Sequence, residues 1–196
     1  MIIDYIDNLP KAERLEIYDI RQEIRKSGLD AFEKLNTRQL RGKLWEIKAS
    51  QNRLMYVIVD ENKVVFLHIC KKTKRKSGEE VIGYSHKAWQ TRRDFIGDNM
   101  LVKSNAEREQ QIVEELVAED ENLLLQHKIF EAEMVFKQEL IDARKKNSLT
   151  QAELGKLSGL SQQAISRMER GEGCTLETII RYLSSMGYSL SIRKTA

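Results

Sequence analysis

Apolar positions fall into two rhythms along this chain. Between residues 40 and 70, short runs rich in β-branched and aromatic side chains are separated by Gln51-Asn52 and Glu61-Asn62. The runs are centred on Leu44–Ile47, Leu54–Val59 and Val64–Ile69, the pattern of an antiparallel meander. Upstream the spacing is helical. Ile17, Ile20 and Ile24, joined by Leu15 and Tyr18, predict a helix entered at Asn8-Leu9-Pro10 and closed at Ser27-Gly28, because glycine accepts the left-handed cap conformation. Residues 29–40 read equally as a short helix or a loop leading into the sheet. After the meander, Ser77-Gly78-Glu79-Glu80 reads as a capping box opening a helix through Val81, Tyr84 and Ala88.

The second half of the chain is mainly helical. Gly97-Asp98-Asn99 breaks the pattern and marks a boundary; Met100 there would suit the start of a once separate protein joined by fusion, natural or engineered. Residues 104–117 carry Ile112, Val113, Leu116 and Val117 on one stripe, and Glu119–Asn122 interrupts them. A second amphipathic run follows through Leu125, Ile129, Phe130, Met134, Phe136 and Leu140. Between Gln151 and Arg170 the signals are sharper. Thr150 and Ser161 suit the N-caps of two short helices, Gly155 permits a close crossing, and Gly159 permits the positive φ of a tight turn. Leu154 and Leu157 of the first helix, and Ile165 and Met168 of the second, are expected inside. Gln162, Gln163, Ser166 and Arg167 are then left outside, which is a helix-turn-helix with its second helix free for a major groove. Thr175–Leu183 predicts a further helix, and Tyr188–Arg193 alternates like an edge strand that would pair with a second copy.

Charge divides the chain the same way. Residues 1–98 are net +5, residues 99–142 net −7, and residues 143–196 net +5. Five of the six residues from Lys71 to Lys76 are cationic, where the last strand leaves the meander; with Arg53, Lys43 and Lys48 they suit a polyanion such as RNA. A plain solvated loop is the alternative. The acidic middle reads either as a solvated linker with an acidic outer face or as a helix lying against the basic first part, opposite charges guiding register and the apolar stripe supplying most of the binding.

No apolar run approaches the roughly 18 residues that cross a bilayer, and the first residues carry Asp4 and Asp7 where a signal peptide would carry cations. No membrane partner is expected. Cys70 and Cys174 are isolated, and His68, His86 and His127 are scattered, so no metal, no cofactor and a reducing, cytoplasmic location are expected.

Residues 1–95 resemble the RelE/ParE toxin superfamily, in its HigB-like (phage Gp49-like) branch. The resemblance is carried by Leu40–Ile47, by Arg53-Leu54-Met55-Tyr56, by Leu67–Thr73, and by Glu79–Ala88 where the family's final helix falls. It implies an endoribonuclease acting on messenger RNA at the ribosome, with the 2′-OH attacking its neighbouring phosphate. Among the candidates, Arg53 and Lys72 suit stabilisation of the phosphorane. Lys71 and Lys74 suit holding the RNA backbone or supplying a proton, and His68 reads either as acid/base or as a histidine packed between Leu67 and Ile69. Lys43, Lys48, Arg75 and Lys76 are candidate RNA-backbone contacts, with Tyr56 and Tyr84 as stacking platforms. The chain departs from the family at Asn52, where an aromatic is frequent, and at Gly78, where a proline is frequent.

Residues 140–188 resemble the Xre/Cro family of repressors. Carried over by position, Gln151 would touch a phosphate, and Ser161, Gln162, Gln163, Ser166 and Arg167 would lie at or near base edges. Ser158 departs from that family, which often has an apolar residue there.

The expectation is an α+β chain in three parts. Residues 1–97 form a RelE-like antiparallel sheet with two N-terminal helices and a closing helix, residues 98–128 an acidic neutralising segment, and residues 129–196 an all-α helix-turn-helix domain. It implies a HigB–HigA type toxin–antitoxin in one chain, neutralised in cis or in trans, repressing its own operator DNA as a homodimer. The rival is a transcriptional regulator whose first domain only senses or dimerises.

Overall fold

The structure, a computed structural model, describes residues 2–61, 63–72 and 105–192, together with Gly83. Lys74, Arg75, Lys76 and Tyr84, the capping box at 77–80 and the boundary near 97 lie outside the described residues. The chain divides into two compact units, Met1–Phe130 and Glu131–Ala196.

In the first unit, α1 (Ile2–Asp7) and α2 (Lys11–Ser27) precede a 3₁₀ turn and α3 (Ala31–Lys34). Pro10 stands just before α2, and Gly28 closes it at φ 60°. Four strands follow: β1 (Thr37–Arg41), β2 (Leu44–Ala49), β3 (Asn52–Asp60) and β4 (Lys63–Lys71). They form an antiparallel meander in the order β1-β2-β3-β4. The first strand lies in the stretch that the sequence left open. Gly42, at φ 55°, makes the turn that separates β1 from β2.

Successive residues of a strand point to opposite faces, and directly paired residues share one. One face therefore carries Ile47, Asn52, Leu54, Tyr56 and Ile69. Helices α1 and α2 pack on the sheet at β4 and β2. Asn52 Nδ2 donates to Glu13 of α2 at 2.6 Å, and the Arg21 guanidinium lies 5.7 Å from the centre of the Phe66 ring. The other face carries Leu44, Met55, Val57, Val65 and Leu67 as a buried cluster.

A further helix, α4 (Ala106–Glu119), packs along α2. Asn105 caps it, its side chain accepting from the Arg108 N–H at 3.0 Å. Val113 and Leu116 are buried, as the apolar stripe predicts. Glu109 is also buried and accepts from Arg21 (2.5 and 3.3 Å) and from Arg25 (2.8 Å), while Glu119 accepts from Lys11. Helix α5 (Glu121–Lys146) begins in this unit, where His127 Nδ1 meets the buried Asp19 carboxylate at 2.7 Å.

The second unit holds the rest of α5 with α6 (Gln151–Ser158), α7 (Gln162–Glu169) and α8 (Leu176–Ser184). Its core is Leu140, Leu154, Ile165, Met168, Tyr182 and Leu183. Thr150, Ser161 and Thr175 cap the three short helices, Thr150 in a capping box with Glu153. A Cβ on Gly155 would come within 2.7 Å of the Leu160 carbonyl, so only glycine allows the two helices to cross here. Leu157 is a correction: it is 58% exposed, and Ser158 is buried in its place. Ser158 lies one helical turn after Leu154, on the same face. Its hydroxyl donates to the Leu154 carbonyl at 2.7 Å, so a polar residue satisfies itself inside the core. Residues 188–192 belong to no strand, so the edge strand expected from their alternation is not formed.

Among the described residues no helix is long and apolar enough to cross a membrane, and no cluster of His, Cys, Asp or Glu could hold a metal.

Candidate nucleic-acid interfaces

The β2–β3–β4 register decides which candidates meet. Lys48 pairs with Arg53 and Arg53 with Cys70, while the next row joins Glu46, Met55 and His68. All six therefore stand on the face turned away from α1 and α2. The ladder runs one bond further, the Lys72 N–H donating to the Gln51 carbonyl at 2.5 Å, which sets Lys72 on the Arg53 side. His68 and Lys72 are then the two diagonal neighbours of Arg53, each about 7–8 Å from it, and they stand roughly 13 Å from each other along the strand with Arg53 between them.

Arg53 is held by the β2–β3 turn. Its guanidinium donates to the carbonyls of Asn52 (2.6 Å) and Ser50 (3.2 Å), and Ser50 adopts φ 43°. His68 is exposed rather than packed between its neighbours. Its pairing with Met55 sets it on the Arg53 face, and a register shift at Met55/Tyr56, where β4 carries one extra residue, adds Leu67 to that face. Leu67 takes up the apolar cluster and His68 is left at the surface. Partial burial of the ring still holds its pKa below the ordinary histidine value, so it is neutral at pH 7. Burial pushes the Cys70 thiol up, helped by Glu46 and opposed by Arg53, so Cys70 is a protonated thiol at neutral pH.

Three sequence candidates stand apart from this cluster. Lys71 is on the helix face, where its ammonium meets Glu13 at 3.2 Å. Glu13 itself is pulled below the usual carboxylate range by the Asn52 hydrogen bond and then by Lys71. Alternation makes this unavoidable: consecutive residues of an extended strand cannot both face one phosphate. Lys43 sits in the β1–β2 turn, at the far end of β2 from Lys48. Five residues at about 3.3 Å each carry it roughly 17 Å away. Tyr56 is 1% exposed, its ring stacked on Phe32 at 4.7 Å between centroids, so no face remains for a base.

Glu46 is the residue that sequence reasoning missed. It is 4% exposed, pairs with Arg38 Nε at 2.9 Å, and is the carboxylate on the Arg53 face. The signal was present: a lone acid among apolar residues of a strand is buried only when it has a partner.

The α4 carboxylates do not go to this cluster. Glu109 and Glu119 engage Arg21, Arg25 and Lys11, and α2, which carries all three cations, lies on the opposite face of the sheet.

In the second unit, Ser161, Gln162, Gln163 and Arg167 are exposed along α7 and Ser166 is half-buried. The Ser161 hydroxyl already accepts from the Ala164 N–H as the N-cap, leaving only its own proton to donate. Gln151 is half-buried and donates to Glu169 at 2.9 Å. Glu169, 2% exposed, also accepts from Arg144 (2.6 and 2.9 Å) and from the Tyr182 hydroxyl (2.8 Å). Burial, then the Glu169 charge, raises the Tyr182 pKa, so the phenol remains a donor. This network ties α5, α6, α7 and α8 together beneath the exposed face of α7.

Comparison with known families gives two matches. The family described as phage derived protein Gp49-like matches residues 4–88, and a helix-turn-helix family matches residues 140–192. Searches of curated proteins and of solved structures found no match.

Proposed function

Because the chain joins a Gp49-like domain of the RelE/HigB toxin type to an Xre-type helix-turn-helix domain, in the order of a fused toxin–antitoxin, we propose that it is a messenger-RNA endoribonuclease and an autorepressor in one cytoplasmic chain. The observation that carries the nuclease half is the convergence of Arg53, His68 and Lys72 on one sheet face. Cleavage forms a bond from the 2′ oxygen to phosphorus and breaks the bond to the 5′ oxygen. It needs a base for the 2′ proton, cations for the phosphorane and a proton for the leaving group. His68, neutral at pH 7, takes the 2′ proton. Arg53 and Lys72 neutralise the phosphorane oxygens, and Lys48, beside Arg53, holds the backbone and protonates the leaving oxygen. Glu46 keeps Arg38 in place and sets the field around Arg53.

The reading helix α7 supplies the other half. Gln162 and Gln163 suit adenine and Arg167 suits guanine, each bidentate pair giving about 1–3 kcal/mol of discrimination. Two copies would read two half-sites.

Expression of residues 1–97 alone is expected to arrest bacterial growth and cleave translated messages. The Arg53→Ala, Lys72→Ala double variant is expected to restore growth at equal protein level. A folded fragment that leaves growth untouched would favour the rival, a regulator whose first domain has no catalytic role.

A further inference from the structure

We propose that Glu172, in the loop after α7, determines the specificity of the DNA reader. Its carboxylate repels a DNA phosphate at Arg167 more than it opposes a neutral, bidentate base edge there. The inference rests on the DNA-binding reading of this unit and deepens it.

Glu172 stands between two arginines. Its carboxylate oxygens lie 4.0 Å from Arg167 Nε and 4.0 Å from Arg170 Nε. The backbone around it is fixed. The Glu172 N–H donates to the Arg167 carbonyl at 2.8 Å, and Gly171 and Gly173 on either side adopt φ 74° and 49°. A Cβ on Gly173 would lie 3.6 Å from the Arg167 guanidinium, so that guanidinium rests over the loop. Glu172 is three-quarters buried, with its side chain 24% exposed, whereas Arg167 is 59% exposed. Arg170 Nε is buried and makes no hydrogen bond among the described residues, which leaves a donor ready for the carboxylate when Arg167 moves away.

The competition has a definite sign. An exposed pair at this distance is weak, so a guanine edge offering two acceptors outcompetes it. A phosphate also takes the guanidinium bidentately, but it brings a negative charge that the nearby carboxylate repels, whereas the guanine edge is neutral. Glu172 therefore subtracts from backbone binding, common to all sequences, more than from base reading. Specificity arises from a contact that opposes the wrong target as well as one that favours the right target.

The test uses the full chain and Glu172→Gln, which keeps shape and removes charge. Each is used to select duplexes from a random pool. Each is then titrated with the selected duplex, its single-base-pair variants and a scrambled duplex over a range of salt. The base pair read by Arg167 is the one whose preference Arg167→Ala removes. Glu172→Gln is expected to bind the scrambled duplex about three- to tenfold tighter, with a salt slope steeper by roughly one. Preference at the Arg167 base pair should fall by a similar factor, and in the Arg167→Ala background Glu172→Gln should change no preference. Unchanged scrambled-duplex affinity and unchanged preference would overturn the proposal. So would weakened binding to every duplex with a lowered melting temperature, the mark of a loop support. If the wild-type chain selects no consensus, the DNA-reading assignment falls and this inference with it.

Discussion

His68 shows how cross-strand pairing decides a functional reading. Alternation sets it on the face opposite Ile69, and its pairing with Met55 fixes that as the Arg53 face. The extra residue in β4 adds Leu67 to the apolar cluster on the same face, and the imidazole stays exposed there. Its pKa is held down by burial, so as a base it is competent from below the ordinary histidine pKa upward. Single-turnover RNA cleavage should therefore rise with pH through a midpoint below that of an ordinary histidine and then level off. The rising limb should vanish in His68→Asn. A limb that persists in that variant would assign the titration to another group. Glu169 makes the matching point in the second unit. Its carboxylate accepts four hydrogen bonds in the core, so removing Arg144 alone would leave a buried charge short of its partner, a change that costs about 3–5 kcal/mol in general.

Among the elements, α4 is the one whose place on the first unit the sequence left most open. Its apolar stripe was legible from Ile112, Val113, Leu116 and Val117, and its attachment to a basic surface from the charge reversal. The surface it occupies was not legible, because Arg21, Arg25 and Lys11 count as cations in composition exactly as Arg53 and Lys72 do. Helix α4 takes the α2 cations, and its glutamates leave the Arg53 face alone. Control of the nuclease by this helix would then act through α2 and the sheet it supports rather than by covering the cationic cluster. Leu116→Asp would place a charge in a buried apolar contact and is expected to detach α4 at a cost of about 2–4 kcal/mol. Faster amide exchange along α4, with β2–β4 still protected, is the expected result. Uniform loss of protection across the first unit would mean that α4 is part of the domain's own core.

For the whole molecule, the question is whether the end of the second unit pairs with a second copy. Tyr188, Leu190 and Ile192 alternate, are 40%, 45% and 100% exposed, and pair with no strand among the described residues. Leu176 and Ile180, one turn apart on α8, are also exposed. A second copy pairing this segment antiparallel would satisfy its backbone groups and cover those side chains. Light scattering should give a dimer for the full chain and a monomer for a chain ending at Gly187. The shortened chain should also lose the cooperative occupation of two half-sites. A truncated chain that remains dimeric would place the interface elsewhere.

What could be read along the chain was local in origin. Caps at Thr150 and Ser161, turns at Gly28 and Gly159, and the periods of the helices and of the meander depend on neighbours within a few residues, and the structure realises these. Which cations share a phosphate depends instead on strand register across three strands. That register moved Lys71 to the helix side, brought Lys48 and the unforeseen Glu46 beside Arg53, and turned His68 outward. A shift of one residue in pairing exchanges the faces of a whole strand while leaving its composition and periodicity unchanged. Pattern alone therefore identifies the strands, and the fold assigns their side chains to a site.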